Sequence, residues 1–170
     1  MSLSMYQASV PVLTRALKNL DGVLRKGEAF AEAKTIDPAV LINDRLAPDM
    51  FPLARQIQMA TDIARRGVAR LAGVEPSKFE DTEKTFADLH DRINRSITFL
   101  ESFQPQQIDG TENKPLVVEI RNKQVNFTGR EMLLNFTLPN VFFHCTTAYA
   151  ILRHNGVDLG KPDYLGTMPG

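Results

Sequence analysis

The chain has 170 residues, 43% of them apolar and 24% charged, and its 20 basic residues are balanced by 20 acidic ones. Folding at this length buries roughly 70% of the surface an unfolded chain exposes, so neither disulfides nor a metal is needed for a core, and the composition argues against disorder. The zero net charge argues against a nucleic-acid partner, because a phosphate-binding face leaves a basic excess.

No stretch approaches the ~20 apolar residues that span a bilayer, so no membrane partner is expected. The opening Met1 to Tyr6 lacks the basic start and apolar run of a signal peptide. One cysteine, Cys145, cannot form an internal disulfide. The expectation is one domain over residues 1–170, located in the cytoplasm.

The first helix is announced by Tyr6, Val10, Leu13, Leu17, Leu20 and Leu24, whose steps of four and three keep one stripe toward a partner. Pro11 suits a first turn, so either Ser9 caps the helix or the helix bends there, and Gly27 reads as its stop. Residues 28–48 form a long connection with a brief helical turn at Val40, Leu41 and Ile42, long enough to cross to a non-adjacent position.

A second helix opens near Asp49, a good cap, with Pro52 in its first turn. Leu53, Ile57, Ala60, Ala64, Val68 and Leu71 face inward, Gly67 permits close helix contact, and Gly73 ends the helix. Gln56 lies at the edge of this stripe, placed either to hydrogen-bond across the bundle or to line a ligand site. Arg65, Arg66 and Arg70 read as a solvated face. The third helix is expected from Asp81 or Thr82 to Ser102, with Phe86, Leu89, Ile93, Ile97 and Leu100 inward and His90 at the stripe's edge.

The period then changes. Leu116–Ile120 and Val125–Phe127 read as a small hairpin turning at Asn122-Lys-Gln, and Thr128-Gly-Arg-Glu131 matches a capping box opening a short turn over 132–136. The last helix starts near Leu138-Pro139, carries Val141, Cys145, Ala148 and Leu152 inward, and ends at Asn155-Gly156. The tail from Val157 to Leu165 is too rich in Gly and Pro to be helical and is expected to pack back on the bundle end, with Asp158 and Asp163 either organising it or facing a pocket there.

Ligand spacing for a metal is missing. There are three histidines, His90, His144 and His154, and no His-x-x-His, His-x-x-x-His or Glu-x-x-His pattern. His144 and His154 share a helix, but residues so spaced rise ~15 Å and rotate by roughly 280°. His144 and His90 meet only if the helix order brings their faces together. Cys145 adjoins His144 but falls on the inner stripe, where a thiol is inert.

Three segments carry a family resemblance: Ser4-Met-Tyr-Gln-Ala-Ser-Val-Pro-Val-Leu13, Pro48-Asp-Met-Phe-Pro-Leu-Ala-Arg-Gln-Ile57, and the run from Leu134-Asn-Phe-Thr-Leu-Pro-Asn-Val-Phe-Phe-His144 through Arg153-His-Asn-Gly-Val-Asp-Leu-Gly-Lys-Pro-Asp-Tyr-Leu165. Together the chain resembles a domain-of-unknown-function family of bacteria and fungi in the DinB/YfiT-like superfamily. The resemblance implies a mainly α protein, a four-helix bundle with a long crossover connection and a small β-hairpin before the last helix. The superfamily includes metal-dependent thiol transferases and hydrolases that use one histidine on the second helix and a His-x-x-x-His pair on the last. Anchored on Ile151-Leu-Arg153 and Gly156, that pair falls on Asn140 and His144, while the second helix offers only Gln56 and Asp62. Asn is a poor ligand for a transition metal. The expectation is therefore a non-catalytic or small-ligand-binding bundle whose degenerate pocket comprises Gln56, Asn140 and His144, with no cofactor. The alternative is a divalent-metal-dependent transferase or hydrolase using His144. The expected macromolecular partner is a second copy of the chain, since bundles often pair through an apolar helix face.

Overall fold

The computed structural model describes residues 3–168. Its first helix, α1 (Met5–Lys34), is capped by Ser4 and not by Ser9, so of the two readings of Pro11 the one that places Ser9 at the cap fails. The Ser4 hydroxyl accepts from the Gln7 N–H at 3.2 Å, and the Gln7 side chain accepts from the Ser4 N–H at 3.1 Å. This reciprocal cap satisfies donors that a helix start leaves free. Ser9 instead donates its hydroxyl back to the Met5 carbonyl at 2.6 Å, and Pro11 sits inside the helix. Gly27 does not stop α1 either. A Cβ there would lie 2.9 Å from Leu152 Cδ2, so the glycine serves close packing, and the chain leaves the helix at Thr35 with φ 54°.

Asp37 caps the short α2 (Pro38–Ile42), the brief turn expected inside the first connection, and Leu41 and Ile42 are buried. In α3 (Leu53–Ala72) Asp49 is not the cap; the Leu53 N–H is taken by the Asp44 carbonyl at 2.9 Å. Gly67 makes the close contact its size allows, since a Cβ there would come within 2.5 Å of Thr137 Cγ2. Helix α4 (Phe86–Glu101) begins at the Thr85/Asp88 capping box rather than at Asp81 or Thr82. The residues before it are held to buried arginines instead. Arg65 and Arg92 are each 1% exposed, so the arginine cluster is only in part a solvated face. Arg65 donates to the Ser77 carbonyl and Asp62, and its guanidinium stacks 3.5 Å from the Phe79 ring centre.

After α5 (Pro105–Ile108), strands β1 (Pro115–Ile120) and β2 (Lys123–Thr128) pair antiparallel with Val118 opposite Val125. The turn is Arg121-Asn122, both at positive φ, one residue earlier than expected. Two left-handed residues match the right-handed twist of the flanking strands. Val118 is buried, and Leu116, Ile120 and Phe127 pack on the core, so the hairpin is supported by the helices beneath it. The Thr128/Glu131 box opens α6 (Gly129–Met132), which runs through a π-helical turn (Leu133–Thr137) into α7 (Leu138–His154) without a break. The tail forms a short helix, α8 (Lys161–Leu165), contrary to the reading of its composition: Pro162 falls in the first turn, where a missing N–H costs nothing, and Asp163 accepts from the Gly160 N–H at 2.8 Å.

The four long helices pack in the cyclic order α1, α4, α3, α7, around a core that includes Leu13, Leu17, Ile57, Leu89, Ile93, Val141 and Ile151. Helices consecutive along the chain therefore lie diagonally in two places. The α2 segment carries the chain from α1 across to α3, and α5 with the hairpin carries it from α4 across to α7. Among the described residues no helix is long and apolar enough to cross a membrane.

Candidate functional site

Pro139 shapes the approach to the site. It has no N–H for the Asn135 carbonyl, and its ring crowds that carbonyl. The helix answers with the π turn, in which the Leu138 N–H reaches back to the Leu133 carbonyl. One extra residue in a turn rotates the side chains beyond it by about 100°, and this sets the phase at which His144 meets Gln56 of α3.

His144 lies on the α7–α3 seam, 6% exposed, with Nδ1 2.7 Å from Gln56 Oε1. Gln56, 1% exposed, donates its own Nε2–H to the Phe51 carbonyl at 3.0 Å. That second bond identifies the amide oxygen as the atom facing His144, so the imidazole carries its proton on Nδ1 and donates it. Nε2 is left as an acceptor with no hydrogen-bond partner among the described residues. Burial, reinforced by the positive charge of Arg55, pushes the His144 pKa down to about 4, so the ring is neutral at physiological pH. The Phe143 ring stands edge-on to it at 5.2 Å.

Two of the three expected residues thus come together. Asn140 does not join them, because its side chain donates to the Phe136 carbonyl at 3.0 Å, one turn back on its own helix. The other polar residue on α3, Asp62, is held by Arg65, Arg66 and Arg92. His90 belongs to the opposite seam, where Nδ1 lies 2.5 Å from Asp21 and Nε2 3.3 Å from Glu28 of α1, so the helix order keeps it from His144. His154 is exposed in the last turn of α7. Burial raises the Cys145 thiol to about 12, which leaves it protonated and unreactive.

Sequence reasoning missed Phe51 and Arg55. Phe51 acts through its backbone carbonyl, which no side-chain pattern announces. Arg55 is anchored by Gln58 at 3.1 Å and by Asp81, a contact across a loop that local spacing does not reveal.

The superfamily's metal position does not suit this donor set. It would have to use an amide, Gln56, whose two ends are already engaged, a second amide, Asn140, bonded to its own helix, and one imidazole. Among the described residues no three His, Cys, Asp or Glu side chains are grouped closely enough to hold an ion.

Four long helices, two diagonal crossings and a hairpin before the last helix constitute a DinB-like helical fold. A DinB family member protein from Shewanella denitrificans, solved by crystallography at 1.83 Å resolution, is 44% identical and superposes with a TM-score of 0.88, covering 97% of this chain and 93% of that one. The chain belongs to the family described as a domain of unknown function, DUF1993, whose model matches residues 5–165. No curated protein matches the sequence.

Proposed function

We propose that this chain is a non-catalytic, small-ligand-binding protein in which the superfamily's metal position has become a fixed hydrogen-bond acceptor. The observation that carries the reading is the His144–Gln56 bond at 2.7 Å, with Gln56 held in turn by the Phe51 carbonyl. This relay fixes the tautomer and leaves Nε2 to accept from a ligand N–H or O–H. The depressed pKa keeps that lone pair free of a proton. A metal-dependent transferase or hydrolase needs at least two more ligands in reach of the same imidazole, and the carboxylate Asp62 is tied up by three arginines.

The test joins elemental analysis to nitrogen-15 NMR of the histidine ring. Protein purified without chelator is expected to hold no stoichiometric divalent metal, and His144 is expected to remain an Nδ1–H tautomer that titrates near pH 4. One equivalent of a divalent ion, lost on His144→Ala, would establish the metalloenzyme reading instead.

A homodimer belongs to the same reading. Phe142, Phe143 and Leu46 are exposed around a shallow apolar groove on the outer side of α7, which supports pairing with a second copy. Sedimentation velocity is expected to show a dimer that Phe143→Ser weakens; a monomer at micromolar concentration would refute it.

A further inference from the structure

A second site lies away from His144. Between α1 and α7, under the chain's last described segment, a cleft of about 340 Å³ opens, the size of a small-molecule pocket. Its walls are almost wholly apolar: Val12, Ala16, Leu20 and Val23 from α1, Phe142 and Cys145 from α7, and a roof of Tyr164, Leu165 and Met168. Burying an apolar body there is favoured by about 25 cal/mol per Å² removed from water.

The roof is held in place by the cleft's two polar residues. Asn19 Nδ2 donates to the Tyr164 carbonyl at 3.0 Å, and Arg15 Nη2 donates to the carbonyls of Leu165 at 2.9 Å and Thr167 at 3.3 Å. Arg15, Asn19 and Met168 also border an adjoining, more open recess, so they form the rim between the two spaces. At this rim Arg15 has no carboxylate within ion-pairing distance among the described residues. Glu101 of the adjoining recess is engaged by Lys18 at 2.6 Å. Among the described residues the three bonds of the Arg15 head group all come from Nη2, and Nε and Nη1 have no partner. In the same recess the buried Thr14 hydroxyl also lacks a partner among the described residues.

An apolar slot whose mouth carries a guanidinium without a carboxylate partner among the described residues has the shape and charge of a receptor for one class of molecule. We propose that this cleft binds a small hydrophobic carboxylate, its aliphatic or aromatic body between α1 and α7 and its carboxylate on Nε and Nη1 of Arg15. A guanidinium suits this role because its planar fork matches a carboxylate. His144 is not among the cleft's walls, so this site stands or falls separately from the one above.

Methyl-labelled protein titrated with octanoate, and separately with 1-octanol, tests the proposal. Octanoate is expected to shift the methyl signals of Val12, Leu20, Val23 and Leu165 saturably. Octanol, with the same tail and no charge, is expected to bind there about tenfold more weakly. Arg15→Gln should bring the two probes to equal affinity, whatever it does to the roof, Arg15→Lys should restore part of the octanoate advantage, and Ala16→Phe should block both probes by filling the slot. The exposed Arg15 variants keep the test decisive even if Ala16→Phe fails to fold. Equal affinity for the two probes, octanoate binding unaffected by Arg15→Gln, or the absence of saturable shifts would overturn the proposal. So would shifts at these methyls that follow protein concentration alone, which would make a second copy of the chain the occupant.

Discussion

Arg92→Ala is expected to lower the unfolding free energy by about 3–5 kcal/mol, the cost of removing one partner from a buried ion pair. Arg92 is 1% exposed and spends its donors on five different groups. Nε bonds Thr61 Oγ1 at 2.9 Å, Nη2 bonds Asp62 at 2.8 Å, and Nη1 reaches Glu83 at 2.8 Å, Asp81 at 3.1 Å and the Glu80 carbonyl at 3.2 Å. Alanine would strip that charge from Asp62 and Glu83, both largely buried, leaving Asp62 to Arg65 and Arg66 and Glu83 to the neutral amide of Gln58. It would also vacate the volume of the largest class of side chain in the core. Lysine retains the charge without the fork, so Arg92→Lys should lose an intermediate amount. Urea denaturation followed by circular dichroism reads both. A loss below about 1 kcal/mol for the alanine variant would mean that the loop is anchored by the Phe79 stack rather than by charge.

The second large effect is steric. Gly129→Ala is expected to cost about 3 kcal/mol, at the upper end of overpacking penalties. Its Cβ would fall 2.0 Å from the Thr111 carbonyl oxygen and 3.2 Å from Leu71 Cδ2. A side chain in that position could swing aside, but a backbone oxygen cannot, because the neighbouring Glu112 carbonyl is tied to the Arg130 N–H at 3.0 Å. The same substitution at Gly22, exposed in the middle of α1 with nothing within 4 Å, should instead stabilise the protein by roughly 0.5–1 kcal/mol, the helix-propensity difference. Opposite signs for one chemical change would show that contact, not glycine's flexibility, governs residue 129. A destabilisation at Gly129→Ala no larger than 1 kcal/mol would show that the 111–112 segment yields.

Much of the fold was legible because burial leaves a period. The inward stripes of α1, α3 and α4 lie where steps of three and four placed them, and Leu13, Ile57 and Leu89 are fully buried. The hairpin, the Thr128/Glu131 box and the Gly73 and Gly156 endings were legible too, because each rests on residues a few positions apart. What escaped depends on distant partners. Gly27 looks like a stop until Leu152 is placed against it. Arg65 looks solvated until Phe79 and Ser77 fold over it. At the candidate site, the edge position of Gln56 allowed a hydrogen bond across the helices, and the contact with His144 makes it. Asn140 was placed by analogy with a ligand pair, whereas its amide bonds the Phe136 carbonyl one turn back on its own helix, a local contact that the analogy does not include.

The diagonal crossings also set a timetable for synthesis. Translation delivers α1, α3 and α4 first, and these three can lie side by side in their native order. Helix α7, the piece that seals the ring against both α1 and α3, emerges only in the final quarter of the chain. Until then a greasy trough lined by Leu13, Leu17 and Ile57 faces water on the nascent polypeptide. Exposed apolar surface of this kind favours aggregation, a hazard expected to end only when α7 closes the ring.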